Sequence, residues 1–501
     1  MNLHLSVHLS ALLVAAAAVH AAGEPGAVPA DPTLAARSVV RIRSTFQSWN
    51  PGQPWERNPP NRRAALGALV APARVLTTAE MVADATFIEF ESADGNRTAT
   101  AAVGAVDYEA NLALLDLADS ERDAGFAAGM QPLELAEDPP LGAALDIVQV
   151  EENGTTLLTR GTLRSVDVTS TFLPEQFFLT FELKASMQSA ASSYTLPVLR
   201  DGRLAGLLTS YDSKDQLSEV IATPIVRQFL AAAAEGEYVG FPSLGIATTR
   251  TDDPSFRAWL RLPDDRGGIY INKVRTGSAA EQAGLAKGDV ITAIDDAAID
   301  RRGYFNHPHY GTLFWSHLIR GGKRHGASVK LDLWRAGAPV TVTATLERRD
   351  REKELVPLHQ FGAPPPYLVK GGLIFQELSR PLLEAFGKNW ESAAPLNLLD
   401  VMLNPDDHAE GRNRVVFLSG VIATPATIGY ERLRNLIVTS VNGQPVRDLQ
   451  SLVAAFEQPT DNLHAIKFEE EECPVHLDEL VSNAVDGQLI ERGIPRLART
   501  R

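Results

Sequence analysis

The chain has 501 residues, 45% of them hydrophobic and 22% charged, which is enough for about three globular domains. Its formal net charge of -15 argues against nucleic acid as a partner, because a nucleic-acid-binding protein needs a basic surface. The only cysteine, Cys473, cannot form an internal disulfide, and the sequence predicts no cofactor.

The N-terminal residues have the pattern of a secretory signal peptide. An apolar run from Leu9 to Val19 is followed by the small residue Ala21, after which cleavage is expected. The alternative is a membrane anchor, but the run is shorter than the roughly 20 residues that a membrane span needs. We therefore predict a signal peptide at residues 1–21, a Pro- and Ala-rich linker at residues 22–37, and a mature protein that is periplasmic or secreted.

Residues 38–235 consist of short β-branched runs separated by turn residues, which is typical of an all-β barrel or sandwich. Three of these runs are Val39–Ile42, Thr86–Phe90 and Asp146–Val150. Helical spacing over Pro224–Ala234, with Gly236 soon after it, predicts a helix that closes this region.

Two further units, at residues 236–350 and 351–475, share an order of strands, glycine turns and a helix. In the first unit, a strand over residues 268–274 is followed by a capped helix that ends at a glycine. The second unit repeats this order more faintly and includes the tight-turn dipeptide Asn442-Gly443. Residues 476–501 are predicted to be a C-terminal tail.

Taken in order, these segments resemble the HtrA (DegP-like, Deg-type) serine proteases. Residues 75–85 resemble the family's histidine motif, residues 111–115 its aspartate motif, and residues 192–198 its nucleophile loop. The resemblance covers roughly residues 38–489 and is greatest to the plant Deg-type branch, whose second PDZ domain is divergent. It implies a mainly β fold, in which a chymotrypsin-like double β-barrel is followed by two PDZ-like α+β domains.

All three catalytic positions of that family are replaced in this chain. Carried over position by position, the histidine is Glu80, the aspartate is Asn111 and the nucleophilic serine is Tyr194. A carboxylate with an ordinary pKa near 4 is a poor proton carrier in acyl transfer, and a phenol is bulky and weakly acidic. The glycines after the nucleophile are replaced by Thr195 and Leu196, which restricts the loop that would stabilise an oxyanion.

The distribution of histidines supports the same prediction. All eleven lie outside residues 21–306, so the β-domain of the mature protein contains none, and a Ser-His pair cannot form within it. Two alternatives remain. One is a Ser-Lys dyad that uses Lys184 or Lys214, and the other is an acid/base pair of Glu80 with Tyr194.

The PDZ resemblance implies that polypeptide C-termini bind by strand addition, with a loop of backbone amides capturing the carboxylate. The matching loop of the first PDZ unit is Ser243-Leu244-Gly245-Ile246, where the glycine lets the backbone approach the ligand. The alternative is a groove that the chain itself fills. The equivalent loop of the second unit contains residues 371–374, and its divergence favours subunit contacts over peptide binding.

Four histidines lie in the first PDZ unit: His307, His309, His317 and His325. A His-x-His pair can bind a transition metal if a third ligand converges on it, but no cysteine or carboxylate set accompanies this one. We therefore predict no metal site and an exposed insertion instead. The aromatic run Phe305–Trp315 would suit packing on a neighbouring subunit or domain.

Trp49 and Trp55 stand where HtrA-like proteins use N-terminal aromatic residues to build trimers. The alternative is that both tryptophans cap the barrel.

Together these features predict that the chain is not an enzyme but a proteolytically inactive HtrA-like pseudoprotease. Its PDZ domains would bind polypeptide C-termini or unfolded or envelope proteins, and it would form a trimer-based or PDZ-mediated homo-oligomer. One alternative is a hydrolase with an unconventional catalytic arrangement. Another is a regulatory partner subunit of an active HtrA-like protease.

Overall fold

The structure, a computed structural model, describes residues 31–187, 195–349 and 353–500. It is mainly β, with two closed barrels followed by two α+β units, which confirms the predicted fold class. The predicted signal peptide and the nucleophile position Tyr194 lie outside the described residues. No helix in the described ranges is long and apolar enough to cross a membrane.

The first barrel closes six antiparallel strands, which pair in the order β1-β4-β5-β8-β7-β6. Its elements are α1 (Pro32–Ser38), β1 (Val39–Phe46), β2 (Trp49–Asn50), β3 (Gln53–Arg57), β4 (Asn61–Ala71), β5 (Arg74–Thr77), a 3₁₀ turn (Ala79–Met81), β6 (Ala85–Ser92), β7 (Thr98–Asp107) and β8 (Leu112–Leu117). The strands β2 and β3 form a separate hairpin outside the barrel. Inward-facing side chains such as Val40, Ile42 and Phe90 are fully buried, as expected when alternate residues of a strand face a closed interior.

The predicted linker over residues 22–37 is too long at its C-terminal end. Helix α1 begins at Pro32, and the Asp31 carboxylate caps it by accepting a hydrogen bond of 2.8 Å from the Thr33 N–H. An Asp-Pro pair suits a helix start, because aspartate satisfies a free amide and proline has the helical φ angle. The helix also buries Ala35 against the barrels, so the linker ends before this helix.

The second barrel is also closed and antiparallel, with the order β10-β11-β14-β13-β12-β9. Its elements are β9 (Ala144–Val150), β10 (Thr156–Thr169), β11 (Phe178–Lys184), β12 (Leu196–Arg200), β13 (Arg203–Asp212), β14 (Leu217–Ala222) and α2 (Thr223–Ala234). The helix α2 confirms the helix predicted at the end of this region, and it buries Ile225, Val226 and Phe229.

The third unit contains a sheet in which β16, β17, β18, β22 and β23 are neighbours in that order. Its elements are β15 (Pro242–Ser243), β16 (Ile246–Arg250), α3 (Pro254–Leu260), β17 (Ile269–Val274), α4 (Ala279–Gln282), β18 (Val290–Ile294), β19 (Ala297–Ala298), β20 (Tyr304–His307), β21 (Gly311–Phe314), α5 (His317–Arg320), β22 (Ser328–Arg335), β23 (Ala338–Thr345) and β24 (Glu347–Arg348). The predicted capped helix is α4, whose N-cap Ser278 accepts a hydrogen bond from the Glu281 N–H.

The fourth unit is built on an eight-stranded sheet with the order β31-β30-β28-β27-β26-β25-β32, to which β29 adds beside β28. Its elements are β25 (Tyr367–Lys370), β26 (Leu373–Glu377), α6 (Arg380–Glu384), α7 (Trp390–Ala393), α8 (Leu396–Leu403), a 3₁₀ turn (Pro405–His408), β27 (Val416–Val421), β28 (Leu436–Val441), β29 (Gln444–Pro445), α9 (Leu449–Phe456), β30 (Leu463–Phe468), β31 (Val475–Asp478), α10 (Glu479–Glu491) and β32 (Ala498–Arg499). The predicted turn at Asn442-Gly443 joins β28 to β29, with positive φ at both residues.

The prediction of a C-terminal tail at residues 476–501 is wrong, because these residues belong to the fourth unit. Helix α10 buries Val485 and Leu489 in a core cluster with Tyr367, and β32 pairs with β25 at the edge of the sheet. The segment has only a weak amphipathic pattern, so the sequence does not indicate that it packs in a core. Its partners lie more than a hundred residues earlier in the chain.

The third unit docks onto both barrels. The Phe178 and Phe241 rings lie 4.9 Å apart, and those of Phe181 and Tyr310 lie 6.1 Å apart. The Arg320 guanidinium lies 4.9 Å from the centre of the Phe178 ring and 3.2 Å from the Glu109 carboxylate of the first barrel. The aromatic run that was predicted to pack on a neighbouring subunit or domain therefore packs on the preceding domain of the same chain.

Trp49 and Trp55 contact the fourth unit, which neither of the two sequence-based interpretations described. Trp55 is buried in a cluster with Tyr367, and their ring centres are 5.9 Å apart. The Arg499 guanidinium lies 4.7 Å from the centre of a Trp49 ring and 5.1 Å from that of Tyr367. The hairpin β2–β3 thereby holds the fourth unit against the first barrel.

Candidate functional site

The structure brings two of the three replaced catalytic positions together at the seam between the barrels. The Asn111 Oδ1 accepts a hydrogen bond of 3.0 Å from the Glu80 N–H. Asn111 is fully buried and has a φ of 54°, a left-handed conformation that asparagine tolerates better than most residues. Its Nδ2 has no hydrogen-bond partner among the described residues. The two residues that the sequence assigns to the histidine and aspartate positions are thus in direct contact.

The turn that carries Glu80 is held from behind by Arg63. The Arg63 guanidinium donates hydrogen bonds to the carbonyl oxygens of Glu80, at 2.6 Å, and of Ala83, at 3.2 Å. It also lies 3.6 Å from the centre of the Phe46 ring. Burial lowers the pKa of this guanidinium, and the carboxylates of Glu80 and Asp84 act in the opposite direction. The Glu80 side chain itself is exposed, so the turn presents a carboxylate to solvent where the family has an imidazole.

Thr195, which follows the third replaced position, lies at the same seam. Its hydroxyl is 2.8 Å from the Thr78 hydroxyl, and its carbonyl oxygen accepts a hydrogen bond of 3.0 Å from the Leu66 N–H. Thr78 and Thr195 are both buried. Thr195, the residue after Tyr194 in the sequence, therefore contacts Thr78, which lies two residues before Glu80. The resemblance predicts that these two segments lie side by side.

The lysines of the predicted Ser-Lys alternative lie away from this seam. Lys184 stands at the end of β11, and its ammonium donates a hydrogen bond to the carbonyl oxygen of Asp215. Lys214 lies in the turn between β13 and β14, where its N–H is bonded to the Asp212 carboxylate at 2.8 Å. Both lysine side chains are exposed. Among the described residues, neither lysine ammonium is bonded to a serine hydroxyl.

Sequence reasoning missed a histidine that reaches the barrels from outside. His359 lies in the segment between the third and fourth units, and its ring packs edge-on against Tyr108 with 5.4 Å between ring centres. Tyr108 is three residues before Asn111 in the turn after β7. The absence of histidine from residues 38–235 does not reveal this contact, because the contact forms only when the segment that contains His359 packs against the first barrel.

The loop predicted to bind peptides in the third unit turns at a glycine and leads into an edge strand. Gly245 has a φ of 75°, and a Cβ at this position would stand 2.3 Å from the Ser278 Cβ, so only glycine fits. The Gly245 N–H is bonded to the Ser243 hydroxyl at 3.1 Å, and Leu244 is buried. Ile246 begins β16, which is the edge strand of its sheet. An edge strand after a glycine loop can accept a further strand.

The corresponding loop of the fourth unit is a hairpin turn bonded to another part of the same unit. Gly371 and Gly372 form the two-residue turn between β25 and β26, so β25 occupies the edge of β26 where an added peptide strand would pair. The Gly371 N–H donates to the Asp486 carboxylate of α10 at 2.7 Å, and the Lys370 ammonium lies 3.1 Å from the same carboxylate. A carboxylate of the chain itself thus takes the amide that would capture a peptide terminus.

The histidines of the third unit are organised by aromatic packing. The His307 ring stacks on Tyr310 with 5.2 Å between ring centres, and its Nδ1 accepts hydrogen bonds of 3.2 Å from the N–H groups of His309 and Tyr310. His317 is buried beneath Gly321. Over the described ranges, no group of three or more His, Cys, Asp or Glu side chains gathers as a metal site would require.

Comparisons with known proteins agree with this architecture. Residues 242–346 and residues 356–491 each match a PDZ domain family. The chain is 26% identical over 464 residues to protease Do-like 2, chloroplastic, of Arabidopsis thaliana, covering 91% of this chain and 74% of the relative. It is also 26% identical to protease Do-like 4, mitochondrial, of the same plant, covering 85% of this chain and 77% of the relative.

Among solved structures, the chain is similar to the HtrA-type protease AlgW with decapeptide. The two are 18% identical, and the match covers 63% of this chain and 96% of that chain with a TM-score of 0.46.

Proposed function

This chain is an HtrA/Deg-type family member with two PDZ domains, and we propose that it is a proteolytically inactive protein that binds polypeptides through them. Relatives named as proteases match up to 91% of the chain and support its relation to HtrA-type serine proteases. In this proposal the chain has lost protease activity, and the first PDZ domain is the binding site.

The observation that carries the proposal is the contact between Glu80 and Asn111. Acyl transfer by a serine needs a base that is neutral near pH 7 and can then protonate the leaving amine. At the position of that base, the chain has Glu80, whose carboxylate is exposed. The backbone N–H of Glu80 donates a hydrogen bond to the uncharged side-chain amide of Asn111. The amide of Asn111 has no charge with which to stabilise an imidazolium, and residues 21–306 contain no histidine to form one.

A fluorophosphonate label combined with a casein cleavage assay tests the absence of protease activity. We expect neither labelling nor cleavage above background in the wild-type chain. The triple variant Glu80→His, Asn111→Asp, Tyr194→Ser is the matched comparison, and His359→Ala removes the histidine nearest the seam. Labelling of the wild-type chain that is abolished by substitution of one serine, or by His359→Ala, would show that the chain is a hydrolase.

The proposal extends to localisation and assembly. The apolar N-terminal run supports export to the periplasm or beyond, and N-terminal sequencing of the protein recovered from that compartment should begin near Ala22. A homo-oligomer is proposed from the family resemblance, although Trp49 and Trp55 are engaged within the chain. Light scattering on the full chain should give a mass above that of one 54.2 kDa subunit, and a monomer at micromolar concentration would contradict this part.

A further inference from the structure

The segment between the two PDZ domains crosses the seam between the barrels, and its Phe361 contacts both. The Phe361 ring centre is 4.5 Å from that of Tyr108 and 5.6 Å from that of Phe172. Tyr108 belongs to the first barrel, in the turn after β7, and Phe172 to the loop between β10 and β11 of the second. We call Tyr108 and Phe172 the aromatic clamp.

The backbone beside Phe361 is also bound to the first barrel. The Gly362 N–H donates a hydrogen bond of 3.0 Å to the Asp84 carboxylate, and Asp84 lies four residues after Glu80. Burial raises the pKa of this carboxyl group. A side chain that packs on two rings and a neighbouring N–H bonded to a carboxylate are contacts that a bound polypeptide can also make.

The space around this segment is large enough for a bound molecule. An interdomain cavity of about 460 Å³ is lined by Asp84, Phe172 and Phe361, and by Arg380 of the second PDZ domain. Ligand pockets in proteins typically have volumes of roughly 300–1,000 Å³.

The aromatic walls of the clamp favour an aromatic occupant. Two of the charged groups that line the cavity form ion pairs within the protein: Arg380 is 2.8 Å from Glu384, and Glu109 is 3.2 Å from Arg320. The remaining recognition comes from the two rings of the clamp, and each aromatic pair at such distances strengthens binding roughly 2- to 10-fold beyond burial.

We propose that Tyr108 and Phe172 form a binding subsite for an aromatic side chain of an external polypeptide, and that Phe361 occupies this subsite in the chain itself. This subsite is separate from the glycine loop of the first PDZ domain and needs no terminal carboxylate. Because Phe361 is tethered, it competes at an effective concentration in the millimolar range. An external polypeptide therefore enters only weakly until the segment is displaced.

A capped peptide tests this subsite without involving the PDZ loop. The probe is fluorescein-His-Gln-Phe-Gly-Ala-Pro-amide, which copies residues 359–364 and lacks the carboxylate that a PDZ domain captures. In an anisotropy titration, Phe361→Ala should bind it at least about tenfold more tightly than the wild-type chain, because the tethered competitor is gone. Phe361→Tyr is the matched control and should bind as weakly as the wild type.

The role of the rings is tested in the same titration. Replacing the phenylalanine of the probe by alanine, or adding Tyr108→Ala to Phe361→Ala, should weaken binding at least about tenfold. Binding to Phe361→Ala that equals the wild-type value, or that does not depend on the aromatic ring of the probe, overturns the proposal. Either result leaves the proposed PDZ binding untouched, since the probe has no free C-terminus.

A second measurement uses the unaltered protein, so that it does not depend on how the variants fold. Saturating probe should raise amide hydrogen exchange in residues 359–363 of the wild-type chain at least about threefold, because the segment must leave the clamp to admit the probe. The alanine-containing probe should leave that exchange unchanged. Unchanged exchange with both probes contradicts the competition between Phe361 and an external aromatic side chain.

Discussion

At the scale of single residues, one hydrogen bond positions the turn at the seam between the barrels. The Asn111 Oδ1 accepts it from the N–H of Glu80. The side chain that this contact presents is the exposed carboxylate of Glu80. The Arg63 guanidinium holds the same turn by donating hydrogen bonds to two of its backbone carbonyl oxygens, and these bonds involve no catalytic group. The contacts that hold this turn in place therefore do not depend on the side chain at position 80.

Another single residue, His317, should make the first PDZ domain sensitive to acid. Burial, with a smaller contribution from His307, lowers the pKa of His317 to about 4, although Asp138 acts in the opposite direction. Its pKa in the unfolded chain is about 6.5, so the unfolded state binds more protons between these values. The contribution of His317 to the free energy of unfolding is therefore at its full value above about pH 6.5. It decreases by about 3 kcal/mol as the pH falls to 4.

This dependence can be measured by native-state hydrogen exchange of residues 304–320 between pH 4 and 7, corrected for the intrinsic exchange rate. His317→Gln should flatten the loss of protection relative to the wild type. His476→Gln, at an exposed position in the second PDZ domain, is the control and should not. Parallel curves for the wild type and His317→Gln would mean that other groups govern the acid sensitivity.

At the scale of elements, the two PDZ domains differ in what their glycine loops contact. The loop at Gly245 leads into an edge strand, whereas the loop at Gly371 is a hairpin turn whose amide is bonded to Asp486. In the second domain, β25 pairs along β26, and α10 supplies the carboxylate. Strand addition is therefore expected only in the first domain.

We predict that a peptide with a free C-terminal carboxylate binds the chain through the Gly245 loop. Gly245→Ala should weaken binding at least tenfold, because the added Cβ meets Ser278 and shifts the loop. Gly311→Ala is the matched control, since Gly311 has a similar φ of 77° but no atom within 4 Å of the added Cβ. Calorimetric titration, with the amidated peptide as blank, measures the effect. Equal loss in both variants would assign it to backbone strain alone.

At the scale of the whole molecule, the domains are joined by contacts between residues far apart in the chain. Arg320 links the first PDZ domain to both barrels, and Arg499 packs against the hairpin that carries Trp49. The two PDZ domains also meet directly, where the Lys273 ammonium is 3.4 Å from the Asp406 carboxylate. Phe361 lines a cavity together with Trp49, with Glu109 of the first barrel and with Arg380 of the second PDZ domain. We therefore expect access to the aromatic clamp to depend on how firmly the second PDZ domain is held.

Trp55→Ala should loosen the second PDZ domain from the first barrel. Truncating a buried tryptophan to alanine costs roughly 3–5 kcal/mol, and here the loss falls on the interdomain contact with Tyr367. Small-angle X-ray scattering should show a larger radius of gyration, and limited proteolysis should cut faster within residues 353–366. Trp259→Ala is the control, because that side chain is 70% exposed and lies away from this contact. An unchanged radius and cleavage rate would show that the hairpin does not hold the domain.

Most of the fold and half of the candidate site could be predicted from the sequence. The strand runs of the barrels, helix α2, the capped helix α4 and the Asn442-Gly443 turn each depend on local periodicity or turn chemistry, which neighbouring residues determine. The motif positions of Glu80 and Asn111 follow from the order of the motifs in the sequence. Helix α1 falls within residues predicted to be a linker and α10 within a predicted tail, because both helices are stabilised by partners distant in sequence.

What the sequence by itself determined is the order of elements and the identity of the groups at each motif position, including the absence of histidine from residues 21–306. The tertiary structure alone decided which groups meet: His359 and Phe361 with Tyr108, Trp55 with Tyr367, and Asp486 with Gly371. The physical reason is the difference in sequence separation over which these interactions act. Periodicity, capping and turn propensity act over a few residues, whereas domain docking depends on surfaces that exist only after each domain has folded.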